Sequence, residues 1–273
     1  MPNIDILVLA VLQGVTEFLP VGSSGHLLVA PQLYCWGAEG AGLQLAALFG
    51  ALLAVTLCFL GDLLGMVQGF LKVLKGKRDD RARVLGLLLV AAIPYLAAAF
   101  LVERYARDSL HSLTVVGAAL IGFGLLLYGA DRLGLTVRRV EHMTFGQALA
   151  IGFIQCCAVI PGASATGITM TTGRLLGFER PDAVRFAFLL SVPILAATAG
   201  YRGWLLFQSD AAININVAQA GLALGLSAVA GLLAILFMIY WVRRSGFGPF
   251  VFYRIAFGAY LLYLFHLAGG PNC

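Results

Sequence analysis

Charge is what this sequence has least of. Only 11% of its 273 residues are Asp, Glu, Lys or Arg, against 60% hydrophobic residues, and the mean hydropathy is +0.92. A soluble domain carries about a quarter charged residues, so a water-soluble fold is excluded and an integral membrane protein is expected. Metal and disulfide patterns are missing too. The five cysteines, Cys35, Cys58, Cys156, Cys157 and Cys273, show neither ligand spacing nor a disulfide framework. Those in apolar runs are expected to be packing residues. The four histidines, His26, His111, His142 and His266, do not cluster, which argues against a structural metal. The N-terminus has no charged n-region or cleavage site, so no signal peptide is expected. The net charge of +5 is explained by loop Lys and Arg on one side of a membrane, not by nucleic acid or another acidic partner.

What is present is a series of apolar runs near or above the roughly 18 residues that mark a spanning helix. Spans are expected at Gly42 to Leu60 (continuing amphipathically towards Leu74), Val84 to Val102 with a kink at Pro94, and Leu113 to Ala130. Three more follow at Ala183 to Leu206 with Pro193, Val217 to Val242, and Pro249 to Leu267. The loop from Lys72 to Arg83 holds six basic and two acidic residues and is placed in the cytoplasm. Arg132, Arg138, Arg139, Arg243 and Arg244 then fall on the same side by alternation, with Glu103 to Ser112 outside.

Polar chemistry is concentrated where it is most costly. Residues 4 to 19 form a short apolar arm and Leu27 to Trp36 a second. Between and within them lie Gln13, Glu17, Pro20, Gly22, Ser23, Ser24, Gly25 and His26. Each arm is shorter than the roughly 20 residues that cross a bilayer, so a hairpin that enters and leaves on one side is expected. Unpaired polar groups in hydrocarbon cost several kcal/mol, and ionisable residues at membrane depth are functional candidates. Pro20 and the glycines interrupt the helix and free N–H groups near Ser23 to Gly25, an anion site at a helix start. Glu17 is a candidate general acid/base or a ligand for a divalent cation. Gln13 lies one turn before it on the same face. An imidazole at His26 could move a proton while a hydroxyl of Ser23 or Ser24 attacks phosphorus.

The pattern returns. Gly146 to Ile160 is a short arm ending in Pro161-Gly162-Ala163-Ser164-Ala165-Thr166-Gly167, and Ile168 to Phe178 is another. Pro20 and Pro161 are each followed three residues later by a serine, Ser23 and Ser164, with Gln13 and Gln155 upstream and Gly25 and Gly167 after. Flanking arginines make the second hairpin open to the cytoplasm, while the first opens outside. The expected fold is therefore one all-α membrane domain, 1–273, built as an inverted-topology repeat (about 1–131 and 140–273). It has six transmembrane helices and two re-entrant helical hairpins, with both termini outside. Ser164, Thr166 and Gly167 could donate to phosphate oxygens as a nest does. Arg185 reads as an inside-facing anchor, Arg254 as a buried ion pair or lipid-phosphate contact, and Arg174, near the hairpin mouth, stays open.

Gln13-Gly14-Val15-Thr16-Glu17-Phe18-Leu19-Pro20-Val21-Gly22-Ser23-Ser24-Gly25-His26 resembles the first signature of the undecaprenyl-diphosphatase family, the bacitracin-resistance membrane phosphatases. Pro161 to Thr169 resembles its second signature, and further likeness lies in Phe188 to Pro193 and in Tyr253-Arg254-Ile255, so the similarity covers nearly the whole chain. The resemblance implies hydrolysis of undecaprenyl diphosphate to the monophosphate carrier at the outer face of the bacterial inner membrane, for peptidoglycan synthesis, in a commonly dimeric protein. Carried over by motif, Glu17 and Gln13 are the acidic, metal-assisting pair, with Mg or Ca as the expected cation. Ser23 is the nucleophile and His26 assists proton transfer. Ser164, Thr166 and Thr169 line the phosphate site, joined by Ser24, Gly25 and Gly167. Ala165 stands where the second signature has arginine, the phosphate clamp of the family, and a methyl group does not replace a guanidinium. Arg174 or a divalent cation is the expected substitute. The rival expectation is a polyprenyl-phosphate flippase or lipid-binding paralogue, since inverted repeats with broken helices are also transporter architecture.

Overall fold

The computed structural model describes residues 3–33, 41–106, 110, 112–134, 139–208 and 216–267. Trp36, Cys35, His111, Arg138, Cys273 and both termini, on which expectations above fall, lie outside the described residues, as does the His266 side chain. The described residues are helical, with no strand. In chain order the helices are α1 (Asn3–Phe18), α2 (Ser23–Leu33), α3 (Ala41–Cys58), α4 (Leu60–Leu74), α5 (Asp80–Tyr105) and α6 (Leu113–Leu133). After a short 3-10 turn at Val140–His142 come α7 (Phe145–Gln155), α8 (Ala165–Leu175), α9 (Arg180–Gln208), α10 (Val217–Val242) and α11 (Gly248–Leu267).

Five of these, α3, α5, α6, α9 and α10, are long and apolar enough to cross a membrane. The protein is thus a multi-pass, all-helical membrane protein, and large side chains such as Leu64, Phe153, Leu233 and Phe252 stand exposed where lipid would meet them. The sixth expected span corresponds to α11, which is not among the five. The expected continuation of the third helix to Leu74 is corrected: the chain leaves helical geometry at Phe59 (φ −109°, ψ 21°) and restarts as α4. Asp62 in the first turn of α4 then reaches the Arg185 guanidinium at 2.7 Å. Asp79 caps α5 by accepting from the Arg81 N–H. It also accepts from Lys72 at 3.0 Å, and that bond holds its carboxyl below the usual carboxylate range.

Packing exchanges helices between the two halves of the chain. α1 lies on α10 as α7 lies on α5, α3 packs on α10 as α5 packs on α9, and the pairs α3–α9 and α6–α11 face each other. Small residues bring backbones together, as expected where no hydrophobic effect separates helix from lipid. A Cβ on Gly50 would stand 2.3 Å from the Leu224 carbonyl oxygen, and the Ser227 hydroxyl donates to Ala47 O at 2.7 Å.

One end of the bundle gathers the basic residues. Arg83 donates to Met143 O at 2.7 Å, Asp182 accepts from the Val140 N–H, and Arg180 meets Asp131 at 2.7 Å. The start of α7 and the end of α8 are both held at this end, the latter through Arg174, which lies 3.3 Å from Asp131.

Candidate active site

Two interrupted helices meet in the interior. α1 stops at Phe18 and α2 starts at Ser23, with Pro20 in the turn, while α7 stops at Gln155 and α8 starts at Ala165, with Pro161 in the turn. Each turn needs a left-handed residue, met by Gly22 (φ +89°) and Gly162 (φ +92°). A Cβ on Gly22 would lie 2.7 Å from Gly162 O, so the two turns touch backbone to backbone. They are also cross-linked: the Gly162 N–H donates to Ser24 Oγ at 3.3 Å, and the Thr166 hydroxyl donates to Glu17 O at 3.3 Å. Ser164 caps α8 by accepting from the Gly167 N–H at 3.1 Å, holding φ +74° to do so.

At the tip of α1 the i, i+4 spacing of the sequence becomes a contact, with Gln13 Nε2 donating to Glu17 Oε2 at 2.9 Å. Ser23, in the first turn of α2, lies beside the same carboxylate. Gln13, Glu17 and Ser23 thus stand in line, an amide orienting a carboxylate that has a hydroxyl beside it, the grouping an activated nucleophile requires. Gln155, the counterpart of Gln13, is buried, and its Oε1 has no partner among the described residues.

His26 is placed differently from the expectation of an imidazole serving Ser23. Nδ1 lies 2.7 Å from Gly22 O and Nε2 lies 2.7 Å from the Tyr253 hydroxyl. A carbonyl only accepts, so Nδ1 carries the proton and the neutral ring accepts from Tyr253 at Nε2. The rings of His26, Tyr253 and Phe257 lie nearly parallel, each in contact with the other two at centroid distances of 4.7 to 5.8 Å. His26 braces the first turn against α11.

Two other expected contributors are directed elsewhere. The Thr169 hydroxyl donates to Ala165 O at 2.9 Å along its own helix, and not towards the turn. Arg174 is a full helix length from the break, buried at the basic end, where it donates to Phe178 O at 2.6 Å and Gly134 O at 3.0 Å and faces Asp131. Its expected part in replacing the missing clamp is therefore corrected: a buried guanidinium takes the nearest carboxylate and carbonyls, and these lie at the helix ends. Arg254 is corrected as well. It is fully buried and makes no ion pair among the described residues; it donates to Pro20 O (3.2 Å), Gly162 O (3.0 Å), Ala163 O (3.0 Å) and Leu120 O (3.1 Å). One side chain thereby ties both turns to α6.

Residue-pattern reasoning missed Tyr253 as a partner of His26, and it missed Tyr95 and Arg202. Those two line a cavity of about 330 Å³ with Ser24, Pro161, Thr198, Tyr201 and Glu103. Arg202 and Tyr95 both lie close enough to Glu17 to act on it electrostatically. Their only signal in the sequence is polarity within otherwise apolar spans.

As to an expected divalent cation, the donor set here is one carboxylate, Glu17, with hydroxyl and amide oxygens beside it. Among the described residues there is no group of three or more His, Cys, Asp or Glu. That set fits magnesium, which is commonly held by one or two carboxylates together with waters and substrate phosphates.

A membrane-embedded helical bundle with a carboxylate–hydroxyl pair at the junction of two broken helices has the makings of an enzyme acting on a lipid-borne group. Residues 6–260 match the family described as bacitracin resistance protein BacA, and the chain belongs to that family. It is 42% identical to undecaprenyl-diphosphatase 1 of Rhodospirillum rubrum over 98% of this chain and 96% of that one. It is 39% identical to the undecaprenyl-diphosphatase of Desulforudis audaxviator (96% and 98%) and 36% identical to that of Saccharophagus degradans (94% and 96%).

Proposed function

We propose that this protein is an undecaprenyl-diphosphatase, a membrane hydrolase that converts a polyprenyl diphosphate to the monophosphate and thereby recycles the lipid carrier of cell-wall synthesis. The observation that carries the reading is the Gln13–Glu17–Ser23 grouping, set at the turn between two short helices in a chain related end to end to proteins of that name. Ser23 Oγ attacks the terminal phosphorus as its proton passes to Glu17. The bond from phosphorus to the bridging oxygen breaks, Glu17 passes its proton to the departing phosphate, and the polyprenyl monophosphate leaves, so that Glu17 is again a free carboxylate. Water then attacks the phosphoserine with Glu17 as base, releasing orthophosphate and restoring the Ser23 hydroxyl, to which the proton returns. The first N–H groups of α2 and α8 face the charge that develops, with Ser24, Gly25, Ser164, Thr166 and Gly167 around it. Magnesium or calcium, held by Glu17 with substrate oxygens, would neutralise the diphosphate. His26 sets the turn and does not itself carry the Ser23 proton.

The finer architecture belongs to the same proposal: six spans counting α11, two re-entrant hairpins and an inverted repeat. It is supported by the exchanged helix pairings and by the shared end at which α7 begins and α8 finishes. That end carries the loop arginines and is assigned to the cytoplasm. The cavity with Glu103 and Arg202 lies at the opposite ends of α5 and α9, so the site is assigned to the periplasmic side of the bacterial inner membrane. Two apolar grooves of about 730 and 530 Å³ border α1 at Val11, Val15 and Leu19, and these suit the prenyl tail. Assembly as a homodimer is part of the proposal.

The test is phosphate release from undecaprenyl diphosphate by the purified, detergent-solubilised protein with magnesium or calcium, beside Ser23→Ala and Glu17→Gln. Release by the wild type that both substitutions abolish is expected. A silent wild type that instead exchanges polyprenyl phosphate across a bilayer would overturn the reading in favour of the flippase.

A further inference from the structure

The second turn presents a methyl group, Ala165, where a phosphate-binding cation would be most useful, and neither buried arginine can supply one. Arg254 is bound to carbonyls of both turns and of α6, and Arg174 is bound at the basic end. A phosphoryl centre without a cation is poorly served, because preorganised positive charge is a leading part of the catalysis of phosphoryl transfer. A side-chain cation to act beside the divalent ion has to come from elsewhere in the site.

The opposite wall holds one. Arg202 lies on α9, four residues after Thr198, so the two share a helix face, and both line the cavity that reaches Ser24 and Pro161 at the two turns. Tyr95 of α5 completes that wall. Arg174, Arg180, Arg185 and Arg254 are each engaged by a carboxylate or by carbonyls. Arg202, in contrast, makes no hydrogen bond or ion pair among the described residues and is exposed in the cavity. Glu103 lines the same cavity and has an interaction of its own. Arginine in a spanning helix is expensive unless it faces a partner or a polar cavity. One that has no hydrogen bond or ion pair among the described residues, stands within electrostatic reach of Glu17 and shares the cavity with Ser24 is set to receive an anion.

We propose that Arg202 is the guanidinium that grips the substrate diphosphate, replacing from α9 the clamp that Ala165 removes from α8. This rests on the phosphatase reading. The planar fork meets two phosphate oxygens at once, opposite the Ser23 hydroxyl, with the Tyr95 hydroxyl as a second donor. Charge growing on the bridging oxygen as its bond to phosphorus breaks is then met from the cavity side.

The experiment compares phosphate release from undecaprenyl diphosphate, kcat and KM separately, for wild type, Arg202→Gln, Arg202→Lys and the double variant Arg202→Gln with Ala165→Arg. Arg202→Gln is expected to lower kcat/KM about 100-fold, with Arg202→Lys between the two. The double variant should regain at least about tenfold, since charge returns from the other wall. The melting temperature should hardly move, because Arg202 makes no hydrogen bond or ion pair among the described residues. Arg202→Gln within about threefold of wild type, or a double variant no better than the single, would overturn the assignment. A wild type that releases no phosphate is a failure of the phosphatase reading instead. Arg202 is then judged by farnesyl diphosphate binding, with farnesol as control. Binding weakened about tenfold in Arg202→Gln for the diphosphate alone keeps the assignment, and equal binding overturns it.

Discussion

Arg254 on α11 donates to the carbonyl of Pro20, 234 residues earlier, at 3.2 Å, and the same guanidinium reaches Gly162 and Ala163 in the second turn. The cation is fully buried with no carboxylate within 4 Å among the described residues, so carbonyl dipoles alone hold it. Truncating it would leave several buried carbonyls unpaired at about 1–3 kcal/mol each. Arg254→Met should therefore lose the folded protein, seen as aggregation on size-exclusion chromatography. Arg254→Lys should fold with a lowered melting temperature, since an ammonium cannot reach the same spread of acceptors.

Glu17 lies beside Ser23, and Gln13 orients its carboxylate. Glu17→Gln keeps the shape and removes the base, so kcat should fall by about 10² to 10⁴ while the melting temperature stays near wild type. Gln13→Ala should retain more activity than either neighbour's substitution, because it only loosens the carboxylate.

Tyr253→Phe removes the donor to His26 Nε2 and keeps the stacked ring. The cost should be about 1 kcal/mol, read as a small drop in melting temperature and a modest loss of kcat. If His26 instead passed the Ser23 proton, kcat would collapse as it does in Glu17→Gln.

Asp131 joins Arg174, Arg180 and the N–H of Phe247. Asp131→Ala strands the buried Arg174 and should destabilise the protein by about 3 kcal/mol, at the lower end for a broken buried pair because Arg180 is partly exposed. Thermal unfolding in detergent measures this, and kcat of the surviving folded fraction should be unchanged.

Two glycine substitutions should separate cleanly. A Cβ at position 25 would come 2.9 Å from Gly162 Cα, backbone against backbone, so Gly25→Ala should push the turns apart and abolish phosphate release. Nothing lies within 4 Å of the same Cβ at position 122. Gly122→Ala should be harmless or stabilising by up to about 1 kcal/mol through helix propensity.

Composition and local pattern were sufficient for the membrane class, for both interruptions and for the Gln13–Glu17 contact. Hydropathy, proline and glycine punctuation and i, i+4 spacing act over a few residues, and a bilayer leaves a chain this apolar no soluble alternative. The tertiary structure decided which polar groups meet. It turned His26 towards Tyr253, sent Arg174 to Asp131, turned the Thr169 hydroxyl back along its helix, made Arg254 the tie between the turns and brought Arg202 and Tyr95 up to Glu17. Apart from Thr169 and Ala165, four residues apart on one helix, these partners stand tens to hundreds of residues apart. Their selection follows from how interrupted helices pack and from the high cost of an unpaired polar group inside the bundle, which no local window of sequence contains.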